Sequence, residues 1–271
     1  MTPRPHCVLV KTSTKWAYRL GLAASAVALA AVPAAVPASA SPGADISILG
    51  GYYWNADGFT GELDITSQAN GNVQAVLNDS GQTEFLTGTW NQSENLLIIS
   101  RPIGNGVTQT YFYTLGGSPY SPGDRMFGGY YQQTGSGAQR GTYLDSAMSS
   151  PASQNLRPAE DTSIIGKWHW NADGYTGTMN ITNVTFDGDV GFFTATLTDN
   201  GATETIQGDY DPGALDSSLG FVRVLPNGAG TQQYSYWLGG TPYSGKPKVF
   251  GGSFGYQGGN IGYGTYLDSA I

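Results

Sequence analysis

Tyr53-Trp54-Asn55-Ala56-Asp57-Gly58-Phe59-Thr60-Gly61 returns as His169-Trp170-Asn171-Ala172-Asp173-Gly174-Tyr175-Thr176-Gly177. Asn, Asp and then Gly between apolar runs is turn chemistry, because Asn and Asp bond their own backbone and Gly supplies a positive φ. Working outward, Gly141-Thr142-Tyr143-Leu144-Asp145-Ser146-Ala147 returns unchanged from Gly264 to Ala270. Leu115-Gly116-Gly117 returns as Leu238-Gly239-Gly240, and Phe127-Gly128-Gly129 as Phe250-Gly251-Gly252. The chain is therefore one module written twice. The offset between copies grows from 116 at the first motif to 120 at Glu84/Glu204, 122 at Arg101/Arg223 and 123 from Tyr111/Tyr234 onward. Insertions are tolerated in surface loops rather than strands, so 67–80, 89–100 and 104–110 are expected to contain loops.

Within each copy the apolar positions alternate. Leu63 and Ile65, then Val73, Ala75 and Leu77, then Leu86, Gly88 and Trp90 each define one face. Leu96–Ile99 is a continuous apolar run, and Tyr111, Tyr113 and Leu115 share the next face. The second copy keeps the phase at Met179/Ile181, Phe193/Ala195/Leu197, Ile206/Gly208/Tyr210 and Tyr234/Tyr236/Leu238. With Tyr52–Trp54, Met126–Tyr131 and Gly141–Leu144 this makes about eight strands per copy. Short connections make successive strands antiparallel neighbours. The predicted fold class is all-β: two tandem antiparallel up-and-down β-barrels, which leave no exposed edge. Two open sandwiches are the alternative.

Gly166-Lys167-Trp168, a Gly-x-Trp at the start of a first strand, resembles the signature of the lipocalins and avidins. Their Trp plugs the barrel floor, and the same role is implied for Trp168. The first copy departs from the signature, with Tyr52 after Gly50-Gly51. A copy of ~105 residues without a helical pattern is nearer the avidin size. Avidins also bring tryptophans from later strands to biotin. The strand with Tyr111 and Tyr113 has no Trp and its counterpart has only Trp237, so biotin is not inferred.

Composition bounds the function. Of 271 residues 40 are Gly and only 12% are charged, while 12% are aromatic, which excludes a disordered chain. Arg4, Lys11, Lys15 and Arg19 precede an Ala/Leu/Val run and Ala38-Ser39-Ala40, the layout of a secretory signal peptide. The expected organisation is a signal at 1–40, barrel repeats at 45–148 and 161–271, and a Ser/Pro/Ala/Asn-rich linker at 149–160. The Ala-rich signal points to a GC-rich bacterial genome. Removing the signal leaves eight basic against 20 acidic residues, a net charge of −12. Nucleic acid and anionic membrane surfaces are poor partners for such a chain. The only cysteine, Cys7, leaves with the signal, and with it any disulfide, thiol nucleophile or thiolate metal site.

Three function classes follow. The leading expectation is a secreted, extracellular, non-enzymatic binding protein whose ligand is a small molecule or a glycan. Asn55, Asp57, Asn171 and Asp173 would meet a hydroxylated ligand at the barrel mouths beside Trp54 or Trp170. Trp90, Tyr111, Tyr113, Tyr210, Tyr234 and Tyr236 would line the cavity, although most aromatics, Tyr52 and Trp168 included, are expected in the core. The second class is a binder of a secreted protein, such as an enzyme inhibitor, using a protruding loop at 183–191. The third is a hydrolase with paired carboxylates drawn from Glu84, Glu204, Asp145 and Asp268, each also readable as a strand-end or surface carboxylate. Arg101 and Arg223 read as capping ion pairs at a barrel end. His169 is the only histidine of the mature chain, and no Gly-x-Ser-x-Gly elbow is present, so a catalytic triad has no support. No cofactor or metal is expected: Asn-x-Asp-Gly lacks the rest of a calcium loop, and zinc ligands are too few.

Overall fold

The computed structural model describes residues 46–117, 124–148, 164–213, 217–226, 229–240 and 246–269. The signal and linker expected at 1–40 and 149–160 lie outside them. The first copy folds as β1 (Gly50–Ala56), β2 (Phe59–Ala69), β3 (Asn72–Asp79), β4 (Gln82–Asn91), β5 (Leu96–Gly104), β6 (Val107–Gly116), β7 (Met126–Gln133) and β8 (Gln139–Asp145). The second folds as β9 (Gly166–Ala172), β10 (Tyr175–Asp187), β11 (Val190–Asp199), β12 (Ala202–Asp211), β13 (Ser218–Val224), β14 (Thr231–Gly239), β15 (Val249–Tyr256) and β16 (Gly262–Asp268). Each set is a closed antiparallel barrel, and the open-sandwich alternative is not realised.

Closure comes from the two repeated motifs at the ends of each copy. Tyr53 pairs with Asp145, Trp54 with Leu144, Asn55 with Tyr143 and Ala56 with Thr142, and β9 repeats this with β16. The turn between β1 and β2 has φ of 54° at Asp57 and 79° at Gly58, the two positive values a tight hairpin needs. Asn55 Oδ1 accepts from Gly58 N at 3.1 Å, and Asn171 repeats the bond with Gly174. The stretches 67–80, 89–100 and 104–110 do contain turns. The insertion at 183–191, expected as a loop, instead lengthens the β10–β11 hairpin as continued strand.

The inward faces are filled. Tyr52, Trp54, Leu63, Leu77, Trp90, Leu97, Tyr111, Tyr113 and Phe127 form one core, and Trp168, Trp170, Met179, Phe193, Phe221, Tyr234, Tyr236 and Phe250 the other. One end of each barrel is a floor. The chain before β1 crosses it, buries Ile48 completely and accepts the Tyr52 hydroxyl on Ile48 O at 2.9 Å. In the second copy Trp168 Nε1 donates to Ile164 O at 3.0 Å, so Tyr and Trp do the same job in the two copies. The β1–β2, β3–β4, β5–β6 and β7–β8 turns surround the opposite end, the mouth.

The barrels pack side against side, mainly through β6, β7 and β8 against β14, β15 and β16. The backbones come so close that a Cβ on Gly128 would lie 2.0 Å from Thr265 O, and one on Gly251 2.1 Å from Thr142 O. The first Gly of each repeated Gly-Gly is thus a contact requirement between barrels, while a Cβ on the second, Gly129 or Gly252, would strike Phe112 O or Ser235 O of its own barrel.

Candidate functional site

The residues of the repeated motifs divide between two places. The first is the barrel–barrel interface. Asn55, on the outer face of β1, donates from Nδ2 to Asp268 Oδ2 at 3.0 Å, and Tyr143 donates its hydroxyl to the same oxygen at 2.6 Å. The mirror set is Asn171 Nδ2 at 3.1 Å and Tyr266 Oη at 2.7 Å from Asp145 Oδ2. The Tyr143 and Tyr266 rings stack between the two sets with centroids 3.9 Å apart. Asp145 and Asp268 are each only 1% exposed. This corrects the expectation that Asn55 and Asn171 face a ligand at the mouths, and the expectation of surface carboxylates at Asp145 and Asp268. Both carboxylates do end their strands, but the outer face there is covered by the other barrel. Burial raises the Asp145 carboxyl above its ordinary range, and the Tyr266 hydroxyl partly offsets this.

The second place is the mouth. In the first barrel Arg101 points inward from β5. Its Nε and Nη2 meet Glu84 Oε2 at 2.9 Å and Oε1 at 2.5 Å, and Nη2 reaches Asp79 Oδ2 at 3.1 Å. The guanidinium lies 5.5 Å from the Trp54 ring centroid. Below it Tyr111 donates its hydroxyl to Gln109 Oε1 at 2.8 Å. The second barrel repeats every part. Arg223 bonds Glu204 at 2.6 Å and Asp199 at 3.1 Å, lies 5.5 Å from the Trp170 centroid, and sits above Tyr234 bonded to Gln232 at 3.0 Å. The capping ion pairs read from Arg101 and Arg223 are in place. The Arg101 hydrogen bond holds the Glu84 carboxyl below its ordinary range.

That clamp is half of each rim. The other half differs between copies. In the first barrel it comprises Phe59, Asp57, Arg140 and Gln133, with Arg140 Nη1 3.1 Å from Asp57 Oδ2. In the second it comprises Tyr175, Asp173, Tyr263 and Tyr256 at the matching positions. Asp57 and Asp173 also reach across: Gly240 N donates to Asp57 Oδ1, and Gly117 N to Asp173 Oδ1, both at 2.7 Å. Burial raises both carboxyls, Asp173 to about 6, against the pull of those backbone N–H groups. Burial raises the Tyr175 and Tyr263 hydroxyls too, and the Asp173 charge adds to it.

Of the twelve residues expected to bind ligand, Trp54, Asp57 and Tyr111 gather at the first mouth and Trp170, Asp173 and Tyr234 at the second. Tyr113 and Tyr236 lie one layer deeper, bonded to Thr142 and Thr265 at 3.0 Å and 2.9 Å. Trp90 and Tyr210 lie at the floors, away from the mouths. The sequence reading missed Arg140, Tyr175, Tyr256 and Tyr263 as rim residues. The signal was their inward phase within two residues of a strand end, together with a change of residue type between copies. An open groove of about 400 Å³ also lies outside the second barrel, along Gln233, Ser235 and Ser253 under the β15–β16 hairpin.

Among the described residues no group of three His, Cys, Asp or Glu comes together as a metal site, and no helix is long and apolar enough to cross a membrane. No protein-family model matches the chain, and a comparison with curated proteins finds no match.

Proposed function

We propose that the chain is a secreted, non-enzymatic binding protein that takes a small molecule or a glycan at its two barrel mouths. One observation carries this reading. The same Arg–Glu–Asp clamp over a tryptophan ring, with a tyrosine beneath, stands at the mouth of both barrels. Polar groups fixed over aromatic faces suit a ligand with hydroxyls on one side and C–H surface on the other. With the interiors packed, a ligand would rest on the rim. Both glutamates are held as ion-pair partners, which favours binding over the hydrolase alternative.

The test is mass spectrometry of the full chain recovered from its own culture medium, under native and denaturing conditions. The reading expects extra mass that is lost on denaturation. A native mass equal to the bare chain, unchanged after incubation with sugars and small polar compounds from that medium, would contradict it.

A second reading has its own observation. The lengthened β10–β11 hairpin exposes Phe186 at 58%, Phe192 at 52% and Val190 at 40% at the floor end of the second barrel. The register puts Phe186 on one face of the hairpin and Val190 and Phe192 on the other, and apolar side chains exposed on both faces of a projecting hairpin suit a protein partner. The two readings use opposite ends of that barrel and can hold together.

A further inference from the structure

We propose that the second mouth is a site for a small organic ammonium cation, held between tyrosine rings. The inference rests on the reading of the mouths as binding sites and names the ligand class for one of them. Tyr175 opens β10, Tyr256 ends β15 and Tyr263 is the second residue of β16, and all three have the inward phase of their strands. Since β15, β16, β9 and β10 are consecutive in the barrel wall, the three side chains form one arc of the rim, with Asp173 in the turn between the last two strands. The Tyr256 and Tyr263 rings stand at 85° to each other with centroids 5.9 Å apart, two adjoining walls of a corner. Phe254 closes its base, 6.1 Å from Tyr256 and 5.5 Å from Tyr263. Tyr175 and Tyr256 are 48% and 37% exposed, so the corner opens to solvent. Ring faces attract a cation through their quadrupole, and alkylated ammonium groups suit such corners because their hydration is weak.

The first barrel shows what this arc is suited to hold. There the chain supplies cations of its own. Arg140 lies against Asp57 at 3.1 Å, and Lys246 Nζ lies 5.0 Å from the Phe59 ring centroid. In the repeat alignment Arg140 becomes Tyr263, Lys246 corresponds to Gly123, and Phe59 becomes Tyr175. Two positive residues are replaced while aromatic surface is added around an aspartate retained in both copies. The second mouth has Arg223 as its clamp cation, paired with Asp199 and Glu204, and the net charge of −12 on residues 41–271 draws cations toward it.

The experiment is calorimetric titration of the full chain with choline and with 3,3-dimethylbutan-1-ol, which has choline's shape without its charge. Choline is expected to bind at least roughly tenfold more tightly. Tyr263→Arg and, separately, Tyr256→Gln install the first copy's residues at sites that already accommodate them there. Each is expected to weaken choline at least roughly tenfold with the unfolding midpoint unchanged, whereas Phe85→Ser on the exposed outer face of β4 is expected to leave it unaltered. Equal binding of choline and the alcohol, or choline binding indifferent to both second-barrel variants, would overturn the inference. If choline is silent while a ligand recovered from the medium is displaced by Arg223→Lys, the mouth reading stands and the cation assignment falls. If that ligand ignores mouth substitutions as well, both fall.

Discussion

Asp145 and Asp268 end equivalent strands, and each accepts a tyrosine hydroxyl and an asparagine amide from the other barrel. A buried carboxylate is tolerable only when its lone pairs are occupied, and hydrogen bonds to a charged group contribute about 1.5–3 kcal/mol each. Asp268→Ala strands the Asn55 amide and the Tyr143 hydroxyl together, so a loss of roughly 3–5 kcal/mol is expected in urea unfolding. Asp173 contributes with a different sign. Its carboxyl is raised from 3.8 to about 6 by burial, so the folded state holds the proton more tightly than the unfolded chain. The resulting stability is complete below about pH 4 and is lost as pH rises through 6. Asp173→Asn keeps an acceptor for Gly117 N. It should flatten the pH dependence of the unfolding midpoint between pH 4 and 7 and stabilise the protein at pH 7 by up to about 3 kcal/mol. A slope unchanged by the substitution would assign it to other carboxyls.

At the scale of elements, the period of two was enough to read the strands. Leu63/Ile65, Val73/Ala75/Leu77 and Tyr111/Tyr113/Leu115 all face inward, and in the first copy strands stand at these runs, at the continuous run Leu96–Ile99 and at the segments 52–54, 126–131 and 141–144. Alternation says which face a residue takes and nothing about what covers the outer face. Asn55, Tyr143 and Asp145 have the outward phase of a surface residue, and only the second barrel's position shows that they are buried. The mouths were half legible for a related reason. Trp54 and Tyr111 lie on well-marked inward faces, but Arg140 and Tyr263 stand at strand ends, where two or three residues are too few to set a period. The hairpin at 183–191 read as a loop because Asp187, Gly188 and Asp189 are turn formers; they make a turn only at the tip. Phe186 and Phe192 on that hairpin are exposed, so Phe186→Ser with Phe192→Ser is expected to change stability by no more than about 0.5 kcal/mol per site. A protein partner binding there would be lost in a pull-down with the double variant. A large drop in the unfolding midpoint would instead show that the rings are packed in solution.

At the scale of the molecule, duplication gave the chain a self-complementary face. The residues repeated most faithfully between copies, around Asn55/Asn171, Gly128/Gly251 and Asp145/Asp268, build the contact between the barrels. The arc that differs, Arg140 and Gln133 against Tyr263 and Tyr256, lies at the open mouths. These shared residues join the two barrels into one body, while the clamp that is also shared and the arc that diverges both stand at the mouths. The central claim is that the barrels fold and unfold as a unit through this interface. Scanning calorimetry of residues 41–271 tests it most directly. The account predicts one transition whose calorimetric and van't Hoff enthalpies agree, and its separation into two when Asp145 and Asp268 are both replaced by Ala. Two transitions in the unmodified chain, or a calorimetric enthalpy about twice the van't Hoff value, would mean that the barrels are independent and would contradict it.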